Sequence, residues 1–319
     1  MMVTESITLN VLFLGGAKRV SFGRKLIEAA ERRGLNLKIF SYELDLEVPV
    51  AAIGEVIPGR KWTAPDLLEH LHDVVDSYKI DVLLPFVDGA VGVAGSYMEV
   101  YGDVWAPVVD PSMAERLFDK VESAKIFEKH GIPVPLTVSA DCELLPLIAK
   151  PRHGSASKGI KVIENAKDFR KIQECADDYL IQEYIRNRTE YTVDCYISMS
   201  GEVVCVSPRI RLEVIGGEVS KTMTVADEEI LVASRMVIES LNLRGAVTLQ
   251  FLRDKDTGRL MLMEINPRLG GGVVCSIHAG ADIPGMIVEE AMGKIPAPAT
   301  EIKPGTLICR YFEEVVFNK

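Results

Sequence analysis

The chain has no run of roughly 18 apolar residues, which rules out a membrane-crossing helix of the ordinary kind. Six cysteines (Cys142, Cys175, Cys195, Cys205, Cys275 and Cys309) occur without any C-x-x-C spacing. They read as reduced core thiols rather than a disulfide frame or a zinc site. The five histidines are equally dispersed, so no histidine metal centre is expected. A basic tract is missing too: 36 Lys and Arg stand against 46 Asp and Glu, a formal charge of -10, and generic nucleic-acid binding is not expected. Residues 1–6 lack the basic start and apolar core of a secretory signal, so a cytoplasmic location is expected. No internal repeat or low-complexity tract is evident.

What is present suits a folded chain of 319 residues, long enough for two or three compact units, with 48% hydrophobic and 26% charged residues. Asn10-Val-Leu-Phe-Leu14 reads as a buried parallel strand that ends in Gly15-Gly16. A helix follows to Arg33, closed by Gly34, and Leu37-Lys-Ile-Phe40 is the next strand, with Glu43 just beyond. This order invites a dinucleotide-binding reading. The fingerprint G-x-G-x-x-G is absent, however, because Gly15-Gly16-Ala17-Lys18-Arg19-Val20 lacks its second and third glycines. A second helix and strand, 64–78 and 80–85, bring Asp88 to a strand's carboxyl end, where ligands gather in open α/β sheets. One long helix is expected from Asp110-Pro111, its N-cap, through Asp119 and Lys120 to His130.

Leu147-Ile-Ala-Lys150 reads as a short strand, then Pro151-Arg-His-Gly-Ser-Ala-Ser-Lys-Gly159 as a loop, and 160–163 as a second strand. Small residues such as Gly154, Ser155 and Gly159, beside His153, let backbone N–H groups turn toward one anion, and Lys150 adds a point charge. The P-loop pattern G-x-x-x-x-G-K-[ST] is absent. Arg209 and Arg211 share one strand face, with Lys221 beyond a glycine pair. Their planar forks suit an anionic substrate or a phosphate, and pairing with Glu213 and Glu218 is the alternative. A helix is expected over 227–241.

The densest stretch is Ala246-Val-Thr-Leu-Gln-Phe-Leu252, the turn Asp254–Gly258, and Leu260-Met-Leu-Met-Glu-Ile-Asn-Pro-Arg-Leu-Gly-Gly-Gly272. It reads as a hairpin. Alternation puts Leu260, Leu262, Glu264 and Asn266 on one face; pairing Arg253 with Arg259 sets Thr248 opposite Glu264 and Gln250 diagonal to it. Glu264, Asn266 and Gln250 then offer one carboxylate and two amide oxygens, hard ligands suited to a Mg2+ (or Mn2+) that shares its shell with phosphate. Gly270, Gly271 and Gly272 let amides approach an acyl group. Residues 276–292 are expected helical, broken at Gly280 and Pro284, and 305–312 is expected as an edge strand or closing segment without chemistry.

Glu264, Asn266 and Arg268 stand where the metal strand of the ATP-grasp superfamily ends in Glu-x-Asn-x-Arg, and the chain resembles that superfamily. Gln250 replaces the acid that many members carry on the neighbouring strand, a variant similar to the carbamoyl-phosphate synthetase large chain. The resemblance implies an α/β ATP-grasp fold: an N-terminal Rossmann-like unit at 1–111, a helix and lid at 112–182, and a nucleotide and metal unit at 183–319. It implies that Lys120 and Lys150 reach ATP phosphates, that Glu183, Tyr184 and Ile185 form the adenine hinge, and that Glu190 accepts from ribose. It further implies a ligase that activates a small-molecule carboxylate as an acyl-phosphate for attack by an amine or other nucleophile, with Arg268 stabilising the transferring group. A homo-oligomer is compatible with this. A non-catalytic ATP-binding regulatory module and an NAD(P)-binding oxidoreductase are the alternative readings.

Overall fold

The computed structural model describes residues 7–139, 142, 144–154 and 158–317. The N-terminal unit is built on β1 (Thr8–Leu14), α1 (Val20–Glu31), β2 (Asn36–Glu43), β3 (Glu55–Pro58), α2 (Leu67–Tyr78), β4 (Val82–Pro85) and α3 (Asp88–Val100). Its strands form a parallel sheet in the order β3-β2-β1-β4. Helices cover both faces of such a sheet, which is why Val11, Leu12, Phe13 and Leu14 form an unbroken buried run. Phe13 meets Phe86 edge-on at 4.8 Å between ring centroids, and Phe22 of α1 meets the same ring at 5.5 Å.

The single helix expected over 110–130 is two: α4 (Pro111–Phe118) and α5 (Lys120–Lys129). Asp119 is the reason. Its backbone is extended, with φ -88° and ψ 107°, and its Oδ1 accepts from the N–H groups of Val121 and Glu122, which caps a new helix. Asp110 caps α4 in the same manner, as the sequence indicates.

The lid follows as β5 (Leu147–Pro151), β6 (Lys161–Ile163), α6 (Ala166–Gln173) and β7 (Tyr179–Glu183), a three-stranded sheet in the order β6-β5-β7. Its core is small: Leu147, Ala149, Ile163, Phe169, Ile172 and Ile181.

The remainder is an antiparallel sheet flanked by helices: β8 (Arg188–Ile197), β9 (Val203–Ile215), β10 (Glu218–Thr224), α7 (Glu228–Ser240), β11 (Gly245–Asp254), β12 (Leu260–Asn266), α8 (Val273–His278), α9 (Ile283–Ala291) and β13 (Leu307–Cys309). Strand order is β12-β11-β8-β9-β10-β13. Pro284 starts α9 rather than breaking a helix, since a proline costs nothing in a first turn whose N–H groups are unpaired anyway. The sheet shares its core with the N-terminal unit. One buried cluster joins Leu12, Leu83 and Tyr97 to Val193, Leu249 and Ile265. Gly245 marks the seam: its N–H neighbour Ala246 donates to the Pro107 carbonyl at 3.0 Å, and a Cβ on Gly245 would stand 2.1 Å from that oxygen.

The β11–β12 register differs from the expected one. Arg253 pairs with Leu260, and a bulge follows Gln250, so Gln250 lies directly opposite Glu264 and Thr248 opposite Asn266. Met263 is the extra residue in this pairing, and it interrupts the alternation. Leu262 and Ile265 therefore face the core, Leu260 packs against it, and Met263 and Glu264 both face a cavity.

Candidate active site

A cavity of about 330 Å³ lies between the lid sheet and the six-stranded sheet. The lid supplies Ile148, Lys150, Pro151, Ile160 and Val162 to its wall, and α5 supplies Lys120. The chain leaving β7 contributes Glu183, Tyr184 and Ile185, and the body strands contribute Arg188, Glu190, Arg211, Gln250, Leu252, Met263 and Glu264. Part of the wall is apolar and part is charged. Such a division suits a ligand with a flat base and an anionic tail.

Lys120 is the first residue of α5, so the Asp119 cap fixes where it starts. Its Nζ donates to the Gly154 carbonyl at 2.7 Å. Asp119 also binds Arg152 Nε at 2.7 Å, clasping α5 to the β5–β6 loop. The Arg152 guanidinium and the two capping N–H groups outweigh burial and lower the Asp119 carboxyl. Gly154 lines the cavity, His153 is exposed and does not, and Gly159 lies beside Pro151 with φ +75°. Ser155 lies outside the described residues.

Lys150 projects from β5, and its Nζ donates to Gln182 Oε1 at 2.9 Å. Desolvation drives its ammonium down to about 8; Lys120 and Arg188 add to this, while Glu264 and Glu190 oppose it. A cation held in that state gains from any anion brought beside it.

Across the cavity, no hydrogen bond among the described residues ends on the Glu264 carboxylate, whose charge reaches both Lys150 and Arg211. Gln250 Oε1 accepts from Arg211 Nη1 at 3.4 Å, a long contact. An acid without donors opposite an amide oxygen, both open to one cavity, fits a hard divalent cation. Asn266 is displaced from this pair: it is buried, absent from the cavity wall, and its Oδ1 accepts from Arg268 Nη2 at 3.3 Å.

The hinge carboxylate is spoken for. Glu183 accepts from the Leu136 N–H at 2.9 Å and takes the Arg259 fork at 2.9 and 3.0 Å. Burial raises its pKa, but Arg259 and the N–H prevail and lower it. Glu183 therefore braces the hinge, and its side chain is not free to receive a base amino group as expected. The Tyr184 N–H is used as well, on the Pro146 carbonyl at 3.1 Å. Glu190 accepts from Arg188 Nε at 2.9 Å, and Arg188 covers the Tyr184 ring at 5.2 Å. Arg188 and Lys158 line the cavity but escaped the sequence reading. Arg188 had a signal, standing two residues before Glu190 on the same strand face.

Four further expected residues stand away from the cavity wall. Arg209 is buried against Asp194, with Nε–Oδ2 at 2.8 Å, and Ser276 Oγ donates to the same oxygen at 2.7 Å. It supports the glycine run from beneath instead of facing the cavity: a Cβ on Gly272 would lie 2.7 Å from its guanidinium carbon. Lys221 sits on β10 opposite Glu213, outside the cavity wall. Arg268 leaves the end of β12 and binds Asp88 Oδ1 at 2.6 Å, which fastens the strand end to the first turn of α3. Asn266 is the fourth.

Elsewhere, His72, Asp76 and Asp103 bring possible ligand atoms within 4.8 Å of one another, and His72 Nδ1 is bonded to the Tyr97 hydroxyl at 2.9 Å. None of the described helices is long and apolar enough to cross a membrane, and all six cysteines are free.

A family model described as ATP-grasp in the biosynthetic pathway with Ter operon matches residues 175–313. A probable alpha-L-glutamate ligase of Methanococcoides burtonii is 24% identical over 92% of this chain and its own full length. The N-terminal section of the carbamoyl phosphate synthase large chain of Methanopyrus kandleri is 21% identical over 61% of this chain, which spans only 35% of that protein. Among solved structures, the biotin carboxylase domain dimer of Hydrogenobacter thermophilus 2-oxoglutarate carboxylase, in complex with MgADP, ADP and bicarbonate, superposes with a TM-score of 0.74. It is 16% identical, over 94% of this chain and 74% of that one. The parallel N-terminal sheet, the small lid and the antiparallel sheet agree with these likenesses: the chain has the ATP-grasp fold, and its residues 175–313 match the ATP-grasp family model.

Proposed function

We propose that this protein is an ATP-dependent ligase that converts a small-molecule carboxylate to an acyl-phosphate and passes the acyl group to an amine or another nucleophile. The observation that carries the reading is the meeting of Lys120, Lys150, Glu190, Gln250 and Glu264, from five separate elements, in one cavity whose wall is also partly apolar. The names of the relatives support it, since glutamate ligase and carbamoyl phosphate synthase are ligases.

The base would lie between Ile148, Ile160 and Val162 of the lid and Leu252 and Met263 of the body. Glu190 accepts from the ribose. Lys120 and Lys150 draw charge from the phosphate oxygens, and Glu264 with Gln250 would hold Mg2+ (or Mn2+), which supplies Lewis-acid neutralisation of phosphate charge when bound. Arg268, held by Asp88 and Asn266 outside the cavity wall, would act on the transferring group only from the end of the metal strand. Closing the lid excludes water, which otherwise consumes an acyl-phosphate. The reaction yields ADP and phosphate. The free cysteines fit a reducing compartment such as the cytoplasm.

The test is ADP release from ATP and Mg2+ over a panel of carboxylates paired with amino acids or ammonia. Release that depends on one such pair, with an amide or related product, is expected. Tight ATP binding with no release for any pair points to the regulatory module instead, and quenching of NAD(P)H fluorescence on binding points to the oxidoreductase.

A further inference from the structure

Beyond the nucleotide cavity, a second cluster of charge surrounds Gly271. A Cβ placed there would stand 3.0 Å from Arg19 Nη1, 3.6 Å from Arg310 Nη1 and 3.7 Å from Glu218 Oε2. Three elements remote in sequence meet at this point: the β1–α1 turn, the start of β10, and the segment after β13. Arg310 is built in. Its N–H donates to the Ser220 carbonyl at 2.8 Å, its Nη1 to Glu218 at 2.8 Å, and three residues later Glu313 takes the Arg24 fork of α1 at 2.9 and 3.1 Å. Arg19 differs. It covers the Phe86 ring at 5.6 Å, and no hydrogen bond from its guanidinium is found among the described residues. Desolvation lowers it to about 10, with Glu218 opposing and Arg268 and Arg310 adding to the fall.

A partly buried guanidinium with two further arginines near it and one carboxylate, itself taken by Arg310, is short of negative charge. Glu43 does not answer it directly: it is hydrogen-bonded to Ser41 and to the backbone of Gly16 and Ala17 and so steadies the turn that carries Arg19. Arg268 is held on Asp88 at the end of the metal strand, whereas Arg19 and Arg310 stand beside Gly271, in the glycine run that follows it. The absence of any side chain on Gly271 keeps the space between them open.

We propose that Arg19, Arg310 and the backbone at Gly271 form a carboxylate pocket that holds a second acidic group of the substrate, so that the acid activated here is a small dicarboxylate. This rests on the ligase reading above. A planar carboxylate takes two parallel N–H bonds from each fork it meets, which selects an acid over its amide or its methyl counterpart. The C-terminal segment thereby becomes part of the substrate site.

The experiment is calorimetric binding in the presence of Mg2+ and a non-hydrolysable ATP analogue. Succinate, glutarate, L-aspartate and L-glutamate are each compared with the monocarboxylate or amide of the same length. At least one diacid is expected to bind roughly tenfold or more tightly than its partner. That preference disappears in Arg310→Met and Arg19→Met, and partly returns in Arg310→Lys. Equal binding within every pair, in the wild-type protein alone, overturns the proposal, as does a preference that both methionine variants retain. Binding of the analogue is measured separately: retained nucleotide binding without diacid preference removes this inference only, whereas absent nucleotide binding removes the ligase reading with it.

Discussion

Lid and body solve the same problem at different scales. The body joins the parallel N-terminal sheet and the six-stranded sheet through common buried clusters, with Gly245 letting the two backbones touch. The lid's core cluster holds six of the described residues, and the lid leaves Ile160 and Val162 38% and 42% exposed, where they line the cavity. Stability is placed where the metal strand must hold its register, and apolar surface is left uncovered where a nucleotide can cover it. A small core opens at lower free energy than a large one, so the lid is the part fitted to move.

Breaking the body at its buried ion pair tests this most severely. Asp194→Asn strands the Arg209 charge and is expected to cost about 3–5 kcal/mol, with a single lowered melting transition for the whole chain. In the lid, Phe169→Ala removes a core ring of similar worth, yet hydrogen exchange should report lost protection in 147–183 while 188–266 stays protected. Lost protection throughout would show that lid and body do not open separately. Next in size, Glu264→Gln should lower kcat at least about a hundredfold with the melting temperature kept, because it removes the one carboxylate of the metal pair. Lys150→Ala, on the lid side of the same cavity, should weaken ATP roughly ten- to hundredfold by titration calorimetry.

The smallest effect is that of pH. Lys150 is cationic below about 8 in the free protein, and bound phosphate raises that value. Nucleotide binding therefore takes up a proton above this pH, and ATP affinity should fall as pH rises through 8, by at most roughly tenfold per unit. Lys150→Arg should flatten the profile.

Much of the site was legible because it is carried by short contiguous stretches. Glu264 and Gln250 face one another across a hairpin whose turn residues announce it, and Lys150 ends a strand that its apolar neighbours define. Long-range pairing was less accessible. Nothing local marks Arg209 as the partner of Asp194, fifteen residues away on the neighbouring strand, or Glu183 as the partner of Arg259. Helix periodicity runs across Asp119 without interruption, and the break there comes from its capping of Val121 and Glu122, with its clasp on Arg152 holding it in place. The register was misjudged for a related reason: a bulge obeys the packing of its neighbours rather than the alternation of its own strand. Arg310 lay in a stretch with no recognisable motif, and its place beside Gly271 comes from the pairing of β13 with β10.

That bulge has a use of its own. An ordinary strand turns successive side chains to opposite sides, so it can offer a binding cleft only every other residue. By slipping one position at Met263, the strand seats a thioether and an acid next to each other on the same wall. A single inserted residue thus sets apolar surface and charge side by side on one wall of the cavity.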